Sequence, residues 1–405
     1  MQTTLVSPSP APPSVARGAP FLLLLGALTA FAPLSIDMYL PAFPAAAAHL
    51  GTSIAAVERT LAAFFAGMAL GQLGYGPLTD RFGRRRPLLG GCALYTVASV
   101  LCALAPSVHL LLLARFLQAL GGAAGIVVVR AVVRDLYQVE DSARIYSRLM
   151  LVMGVAPILA PLLGSALLAA VGWRVIFWVL AGFGAGACAV AYAWLPETHA
   201  GTAGAAHPAR ALANFAAVLA DRRFLAPAVA AACALGTMFA YITGSPDVLI
   251  NHFHVGPGTY ALVFGGNAAG FIAFSQLNAH LVRRVGPREL LRRGLGALSL
   301  VSTLEIACAF SGFGGAGLIV ALWFLQLSSL GFVAANATAL ALADQGPRAG
   351  SAAALLGAGQ FLCAGIAGSA LGLGRQLGGT AQAISVLVAG GALIALSIRP
   401  WRERG

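Results

Sequence analysis

Long apolar segments alternate with short polar turns along almost the whole chain. A helix needs about 20 apolar residues to cross the hydrocarbon core of a bilayer. Twelve segments have that length, and the pattern therefore predicts an all-α membrane protein with twelve transmembrane helices. The predicted spans lie at about 19–41, 57–79, 87–106, 109–134, 146–170, 174–195, 225–246, 258–282, 289–312, 316–342, 350–373 and 380–398.

The longest hydrophilic break inside the chain, residues 196–223, divides the spans into six and six. The polar segment Leu281–Arg288 resembles a weakened copy of Gly76–Arg86, and Gly286 lies 203 residues after Gly83. That offset is half the chain length, as an internal duplication would produce, and two six-helix repeats are a transporter architecture. We predict a disordered cytoplasmic tail, two pseudo-symmetric six-helix bundles joined by a cytoplasmic loop, and a cytoplasmic C-terminal tail, at 1–18, 19–195, 196–223, 224–398 and 399–405.

The composition supports a membrane protein and argues against other classes. Only 9% of the residues are charged and 59% are hydrophobic, whereas soluble domains have about 25% charged residues. The net charge of +12 comes from arginines in short loops rather than on one face, so no nucleic-acid partner is expected. The six cysteines lie in apolar segments without a C-x-x-C pair, so we expect no metal site. We also expect no enzymatic activity and no cofactor.

The arginines indicate the orientation. If the N-terminus is cytoplasmic, twenty arginines fall in inner segments and three in outer ones, namely Arg59, Arg174 and Arg375. Cytoplasmic loops of membrane proteins carry an excess of basic residues. We therefore predict a multi-pass protein of the bacterial inner membrane with both termini in the cytoplasm.

Three ionisable residues fall inside predicted spans, where a charge costs about 2.5–3.5 kcal/mol on insertion scales. Asp37 is a candidate proton carrier, or it lies at the outer end of the first span and faces water. Arg115 is a candidate to hold a polar group of the substrate or to act as a counter-charge to a carboxyl, or it bonds carbonyls between helices. For Glu305 we expect exposure near the outer end of the ninth span.

The segment Gly76–Arg86, called the signature loop below, carries five charges between the second and third spans. Gly76 and Gly83 permit unusual backbone angles and close approach. Asp80 ends the second span, where it can pair with an arginine or with the N-terminus of a helix in the other half. The arginines Arg84–Arg86 can pair with Asp135, which would make a latch of the inner faces; alternatively, the loop arginines only set the topology.

Four groups of residues resemble the major facilitator superfamily, and within it the bicyclomycin/chloramphenicol-resistance (Bcr/CflA) subfamily of twelve-helix exporters. The resemblance is confined to the first half of the chain; the second half matches only in hydropathy and helix count. These groups are Leu34–Pro44, the signature loop, Arg115–Gly121 with Arg130–Asp135, and Ala156–Gly164 with Gly172–Arg174 and Leu195–Thr198.

The resemblance implies proton-coupled efflux of drugs or metabolites. It assigns a gating role to the signature loop and a role in proton coupling to Arg115. It also implies an exporter motif in the fifth span, from which this chain departs by reading Ala160 and Ser165 where glycines are usual. The gating residues are Gly76, Asp80, Arg81, Gly83, Arg84, Arg85 and Asp135, and the exporter motif is Gly154, Pro157, Pro161 and Gly164.

We therefore expect a proton antiporter driven by the proton gradient. Protons would enter from outside and protonate Asp37, and a small drug or metabolite would leave on the reverse stroke. The expected partners are that small molecule, protons and the lipid bilayer, with the protein acting as a monomer. The alternative is a proton-coupled symporter that imports a solute on the same fold.

Overall fold

The structure is a computed structural model, and it describes residues 19–136, 139–198, 208–311, 314–345 and 348–376. Those residues form helices and connecting turns without a β-strand. The α-helices are α1 (Ala19–Asp37), α2 (Phe43–His49), α3 (Ile54–Phe82), α4 (Arg85–Leu104), α5 (Val108–Leu136), α6 (Val139–Ala170), α7 (Arg174–Trp194), α8 (Pro208–Leu219), α9 (Arg222–Pro246), α10 (Pro257–Val285), α11 (Pro287–Ser311), α12 (Ala316–Ala343) and α13 (Ala349–Gln376).

Each of the first eleven predicted spans coincides with a long helix, which confirms the all-α class. Eight helical stretches within the described chain have the length and apolar composition of a membrane span. The predicted span 380–398 and both predicted tails lie outside the described residues. The segment 196–223, predicted only as a loop, contains the short helix α8, which packs against α9 and α13.

The two halves of the chain pack their helices in the same way. In the first half, α3 and α4 both pack on α5, and α1 packs on α5 and α6. In the second half the corresponding pairs also form, because α10 and α11 both pack on α12, and α9 packs on α12 and α13. We refer to these groups as the N-bundle (α1 and α3–α7) and the C-bundle (α9–α13).

Two glycines end equivalent helices of the two halves with the same backbone conformation. Gly83 ends α3 with φ +80° and Gly286 ends α10 with φ +84°. Residues with a side chain rarely adopt a φ of this positive value, whereas glycine adopts it without steric cost. The repeat that the sequence suggests at these two positions is therefore also a repeat of local structure. We call the end of the bundles that carries Gly83 and Gly286 the loop end, and the opposite end the far end.

The bundles meet along α3 and α13, and more sparingly along α6 and α10. Near the middle of α3, the ring of Phe65 lies 4.7 Å from that of Phe239 in α9 and 6.2 Å from that of Phe361 in α13. Nearer the loop end, Gln72 lies against Gly357, where any side chain would overlap the Gln72 amide. These two helix pairs are equivalent under the repeat, so the contact between bundles is itself pseudo-symmetric.

Candidate functional site

Asp37 is the last residue of α1 and lies near the far end of the N-bundle. Only 3% of its surface is exposed, so the water-facing alternative that its sequence position allowed is wrong. Within the described chain, no arginine or histidine nitrogen lies within 4.0 Å of its carboxylate. A carboxylate buried without a cation is costly, whereas the neutral acid is much less so. Position and surroundings therefore suit a group that is charged for only part of the time.

The exporter-motif segment of α6 packs directly against the chain that follows Asp37. A Cβ added at Gly164 would overlap the carbonyl oxygen of Met38 and lie 2.9 Å from its Cα. The backbones of α6 and of the end of α1 thus touch at a position where only glycine fits. Helix α6 continues through Pro157 and Pro161 without interruption. Asp37 and Gly164 belong to separate motifs in the sequence, and the structure brings these two segments into contact. The packing around Gly154 and Pro157 lies outside the described part of the structure.

Arg115 lies in α5, seven residues after the far-end start of that helix, and is fully buried. Its guanidinium group lies over three aromatic rings, 4.3 Å from the centroid of Phe64, 5.1 Å from that of Tyr39 and 5.7 Å from that of Phe177. Attraction between a cation and the face of an aromatic ring contributes about 2 kcal/mol or more where water is excluded. Arg115 is therefore held by a cage of aromatic rings rather than by a carboxylate.

One hydrogen-bond chain connects Arg115 to the neighbouring helix α4. Its Nη1 donates to Oε1 of Gln118 over 2.6 Å, and Nε2 of Gln118 donates to Oγ of Ser99 over 2.7 Å. The Nε and Nη2 atoms of Arg115 are buried and have no hydrogen-bond partner among the described residues. Neither the carboxyl counter-charge nor the interhelical carbonyl bonds considered for Arg115 is present in the described structure. Both nitrogens carry N–H groups, so Arg115 keeps hydrogen-bond donors that the described residues leave unused.

Two of the cage residues, Phe64 and Phe177, were not identified from the sequence. Phe64 and Phe177 belong to helices α3 and α7, whose order along the chain does not show that they face Arg115. Gln118 had a usable signal, since it follows Arg115 by three residues and so shares its helix face. Tyr39 joins the two candidate sites, because it follows Asp37 by two residues and contacts the guanidinium group.

The signature loop is built around Arg84, whose side chain is only 2% exposed. Its Nη1 donates to Asp80 over 2.8 Å and its Nε donates to Asp135 over 2.9 Å. The side chains of Asp80 and Asp135 are 51% and 14% exposed, so Arg84 and Asp135 form the more buried pair. Burial alone would lower the pKa of Arg84, but the hydrogen bonds to Asp135 and Asp80 outweigh it and leave the pKa raised. The pairing expected between a loop arginine and Asp135 is present.

The carboxylate of Glu197 binds the start of α4 from the end of α7. Its Oε1 accepts from the backbone N–H of Arg84 over 2.7 Å, and its Oε2 from that of Arg85 over 3.1 Å. An acidic group there satisfies unpaired N–H groups and complements the helix dipole. The same carboxylate leaves no room for a Cβ at Gly83, which would lie 2.5 Å from Oε2. The positive φ is what requires glycine at position 83, and a Cβ there would in addition displace the Glu197 carboxylate.

All these loop-end contacts lie inside the N-bundle. Asp135 also accepts from Thr198 over 3.2 Å, and the guanidinium of Arg85 stacks on Tyr192 at 5.1 Å and donates to its carbonyl oxygen. Arg81 lies over the ring of its neighbour Phe82 at 5.0 Å. The cluster therefore ties α3, α4, α5 and α7 together. At Gly76 the other bundle is close, since an added Cβ would lie 4.0 Å from Ala354.

Replacing Glu197 tests the helix-start contact. Because Glu197→Gln keeps one acceptor oxygen but loses the negative charge, we expect α4 to be held less tightly, at a cost of about 1–2 kcal/mol. The measurement is the thermal unfolding midpoint of the purified protein in detergent. Thr198→Val is the matched control, as it removes only the single bond to Asp135. A Glu197→Gln midpoint at or above that of Thr198→Val would contradict this account.

The expectation for Glu305 was wrong. It is 4% exposed rather than facing solvent, because α12 covers it, and Nε2 of Gln326 donates to its Oε2 over 2.9 Å. The spacing of α11 residues alone did not show which face α12 would cover. Glu305 is therefore a buried carboxyl in the C-bundle, as Asp37 is in the N-bundle.

Comparison with known proteins places these features in a family context. The family model described as Major Facilitator Superfamily matches residues 25–373. A solved bacterial homologue of the human lysosomal transporter Spinster, in an inward-facing and occupied conformation, superposes with a TM-score of 0.67 over 94% of this chain and 95% of its own, at 17% identity. That likeness concerns the fold.

Several bacterial proteins are more similar to this chain in sequence. The MFS-type transporter YdgK of Bacillus subtilis (strain 168) is 33% identical over 81% of this chain and 82% of its own. A chloramphenicol resistance protein of Pseudomonas aeruginosa is 32% identical over 81% of this chain and 76% of its own. A bicyclomycin resistance protein homologue of Haemophilus influenzae is 33% identical over 68% of this chain and 69% of its own.

Proposed function

Because this chain belongs to the major facilitator superfamily of membrane transporters, we propose that it exports drugs or small amphipathic metabolites across the bacterial inner membrane in exchange for protons. It is a multi-pass membrane protein, and relatives with more than 30% identity are named for resistance to chloramphenicol and bicyclomycin. The proposed cycle is alternating access, in which the two bundles rock about a central cavity.

The observation that carries the proposal is the buried carboxyl of Asp37 beside the glycine of the exporter motif. A carboxylate moves through a dry state only at high cost, and a bound proton removes that cost. With Gly164 packed against Met38, a change in the angle between α1 and α6 would move the Asp37 backbone directly. Protonation of Asp37 and rearrangement of these helices are thereby linked.

Arg115 takes the role of a fixed cation in this proposal. Arginine does not lose its proton in proteins, so Arg115 stays charged throughout the cycle. Its two buried donors without partners can bind a carbonyl or hydroxyl group of a substrate. The surrounding rings of Tyr39, Phe64 and Phe177 offer apolar contact to the rest of such a molecule.

The loop end is proposed to face the cytoplasm, because the arginines of the sequence concentrate there. Each proton that moves inward then releases about 2.3 kcal/mol per 100 mV of membrane potential. A tenfold concentration ratio of a neutral drug requires about 1.4 kcal/mol. One proton per drug molecule therefore supports an outward gradient of roughly tenfold to hundredfold, without a cofactor or nucleotide.

Transport in vesicles tests the direction. Right-side-out proteoliposomes are loaded with radiolabelled chloramphenicol, and the outside is acidified. We expect accelerated loss of drug from the vesicles together with proton uptake. Accumulation of the drug on external acidification would instead identify the alternative, a proton-coupled importer. Empty liposomes and the Asp37→Asn protein serve as the two controls.

The signature loop supplies a separate prediction about the rate of transport. Asp80→Asn removes the charge from one of the two partners of Arg84, whose buried guanidinium then depends on Asp135 alone. If the cluster acts as a latch, Asp80→Asn slows efflux several-fold and leaves drug binding to the purified protein unchanged. Glu289→Gln is the matched control, since it removes the same charge from an arginine-paired carboxylate near the loop end of the C-bundle, outside the signature loop. Equal efflux rates in the two variants would argue against a latch.

A further inference from the structure

The contact between α11 and α12 contains a second buried carboxyl group. Glu305 is 4% exposed and Gln326 is fully buried. Their single bond runs from Nε2 of Gln326 to Oε2 of Glu305 over 2.9 Å. Glu305 lies six residues before the far end of α11, about 9 Å along the helix at 1.5 Å per residue.

The remaining atoms of the pair do not match as hydrogen-bonding groups. Oε1 of Glu305 and Oε1 of Gln326 are both buried and have no hydrogen-bond partner in the part of the chain that the structure describes. Both are acceptors when the carboxyl is ionised. Turning the Gln326 amide over would exchange its nitrogen and oxygen, and would replace the existing bond by a contact of two acceptors. In either arrangement the pair lacks one donor, and a proton on Glu305 provides it.

Among the residues that the structure describes, no cation compensates the Glu305 carboxyl. Helix α12 contains no ionisable residue, and α10 carries only Tyr260 towards the far end and His280, Arg283 and Arg284 towards the loop end. On α11 itself, Glu289, Arg292 and Arg293 form their own cluster near the loop end, and Arg288 lies beside them. Cys308 follows Glu305 by three residues. In the described structure none of these groups forms an ion pair or hydrogen bond with Glu305.

From this arrangement we propose that Glu305 and Gln326 form a second proton-binding site, in which an acid–amide pair holds one proton between α11 and α12. A neutral carboxylic acid and a primary amide can form two parallel hydrogen bonds, one in each direction. The proton makes Oε1 of Glu305 a donor and removes a buried, unpaired negative charge. Each bundle then contains one protonatable carboxyl, Asp37 in the first and Glu305 in the second.

This site bears on the proposed function, and in this respect the inference rests on it. If Glu305 releases and rebinds its proton during the cycle, the transporter moves one more proton per drug molecule than Asp37 alone would carry. Two protons at 100 mV provide about 4.6 kcal/mol, and so support a drug gradient of roughly a thousandfold.

Infrared spectroscopy of the purified protein tests the bound proton without any need for transport. Un-ionised carboxylic acids give a carbonyl band that carboxylates lack. At pH 7 we expect Glu305 to contribute to such a band in the unsubstituted protein, beside any contribution of Asp37, and we expect the Glu305 contribution to be absent from Glu305→Gln. The amide of Glu305→Gln can form the same two bonds with Gln326, so this variant should fold. Glu289→Gln is the matched control on the same helix, because Glu289 is ion-paired with Arg292 and Arg293 and contributes no such band.

A second variant guards against misfolding of the first. Gln326→Leu keeps the acid but removes the amide, so the Glu305 band should shift to higher frequency as its hydrogen bonds are lost. Identical spectra of unsubstituted protein and Glu305→Gln in the acid region would overturn the proposal, as would a band that Gln326→Leu leaves unmoved.

Counting protons per drug molecule in proteoliposomes tests the transport step. We expect one proton fewer in Glu305→Gln than in the unsubstituted protein. If Glu305→Gln moved as many protons per drug molecule as the unsubstituted protein, while the Glu305 infrared band was present in the latter, the proposal that this proton is transported would be wrong. If the unsubstituted protein moved no protons at all, the proposed antiport would fail, while the infrared result would still decide whether Glu305 binds a proton.

Discussion

Asp37→Asn is expected to abolish proton-driven export while the protein still accumulates in the membrane at its normal level. Asparagine has nearly the same shape as the protonated acid, so a site that is 3% exposed can accommodate it. It cannot release a proton, however, and the step in which the charged and neutral forms alternate is lost. Cells of an efflux-deficient bacterial host that express Asp37→Asn should be as sensitive as cells without the transporter to any drug against which the unsubstituted protein protects.

The controls for Asp37→Asn separate coupling from folding. Drug binding to the purified variant should persist, and drug exchange between equal concentrations on both sides of a vesicle should continue, because neither needs a proton to be released. Asp221→Asn is the comparison variant, because it removes a carboxylate that belongs to neither candidate site. Asp221 caps the start of α9, and its bonds to the backbone N–H of Arg223 and the side chain of Gln345 lower its pKa. Normal resistance in Asp37→Asn cells with normal protein levels would rule out Asp37 as the coupling residue.

The second large effect is expected at Gly164, where a single methyl group should separate α6 from the end of α1. In Gly164→Ala the new Cβ overlaps the Met38 carbonyl oxygen and lies 2.8 Å from its carbon. Backbone atoms cannot rotate away as a side chain can, so the helices themselves must move. Overpacking typically costs about 1–3 kcal/mol and sometimes more. We expect a clear fall in the thermal midpoint in detergent and a loss of most export activity.

Gly182→Ala is the matched control for Gly164→Ala. Gly182 lies inside α7 with open space around an added Cβ, so the same chemical change meets no neighbour there. Alanine also favours helix over glycine by about 1 kcal/mol, and this control should be as stable as the unsubstituted protein or more so. Equal midpoints and equal transport in the two variants would contradict the close approach of α1 and α6.

The sequence did not predict the contacts that connect the segments of Asp37, Gly164 and Arg115. Each residue was identified from its own segment, by a charge in an apolar span or by a motif. The contact of Gly164 with Met38, and of Tyr39 with the Arg115 guanidinium, joins segments up to about 125 residues apart in the chain. A hydrophobic pattern reports that a residue lies in a helix, but a membrane helix is apolar on its lipid face and its buried face alike.

The burial of Glu305 is a second feature that the sequence did not predict. Its position near the end of a span suggested exposure, and only the packing of α12 over α11 reveals that it is buried against Gln326. The two residues are 21 positions apart on different helices, and no local pattern relates them. In a soluble helix an apolar stripe would have indicated the covered face.

By itself, the sequence determined the all-α membrane class, the positions of the described spans, the two glycines that end equivalent helices, and the family to which the chain belongs. These properties depend on local composition and on short motifs, since each span must satisfy its own backbone hydrogen bonds in lipid. The tertiary structure alone decided which helix faces meet. It therefore placed Arg115 in an aromatic cage, Glu197 at the start of α4, Gly164 against the end of α1 and Glu305 beside Gln326, because each of these contacts depends on packing between distant segments.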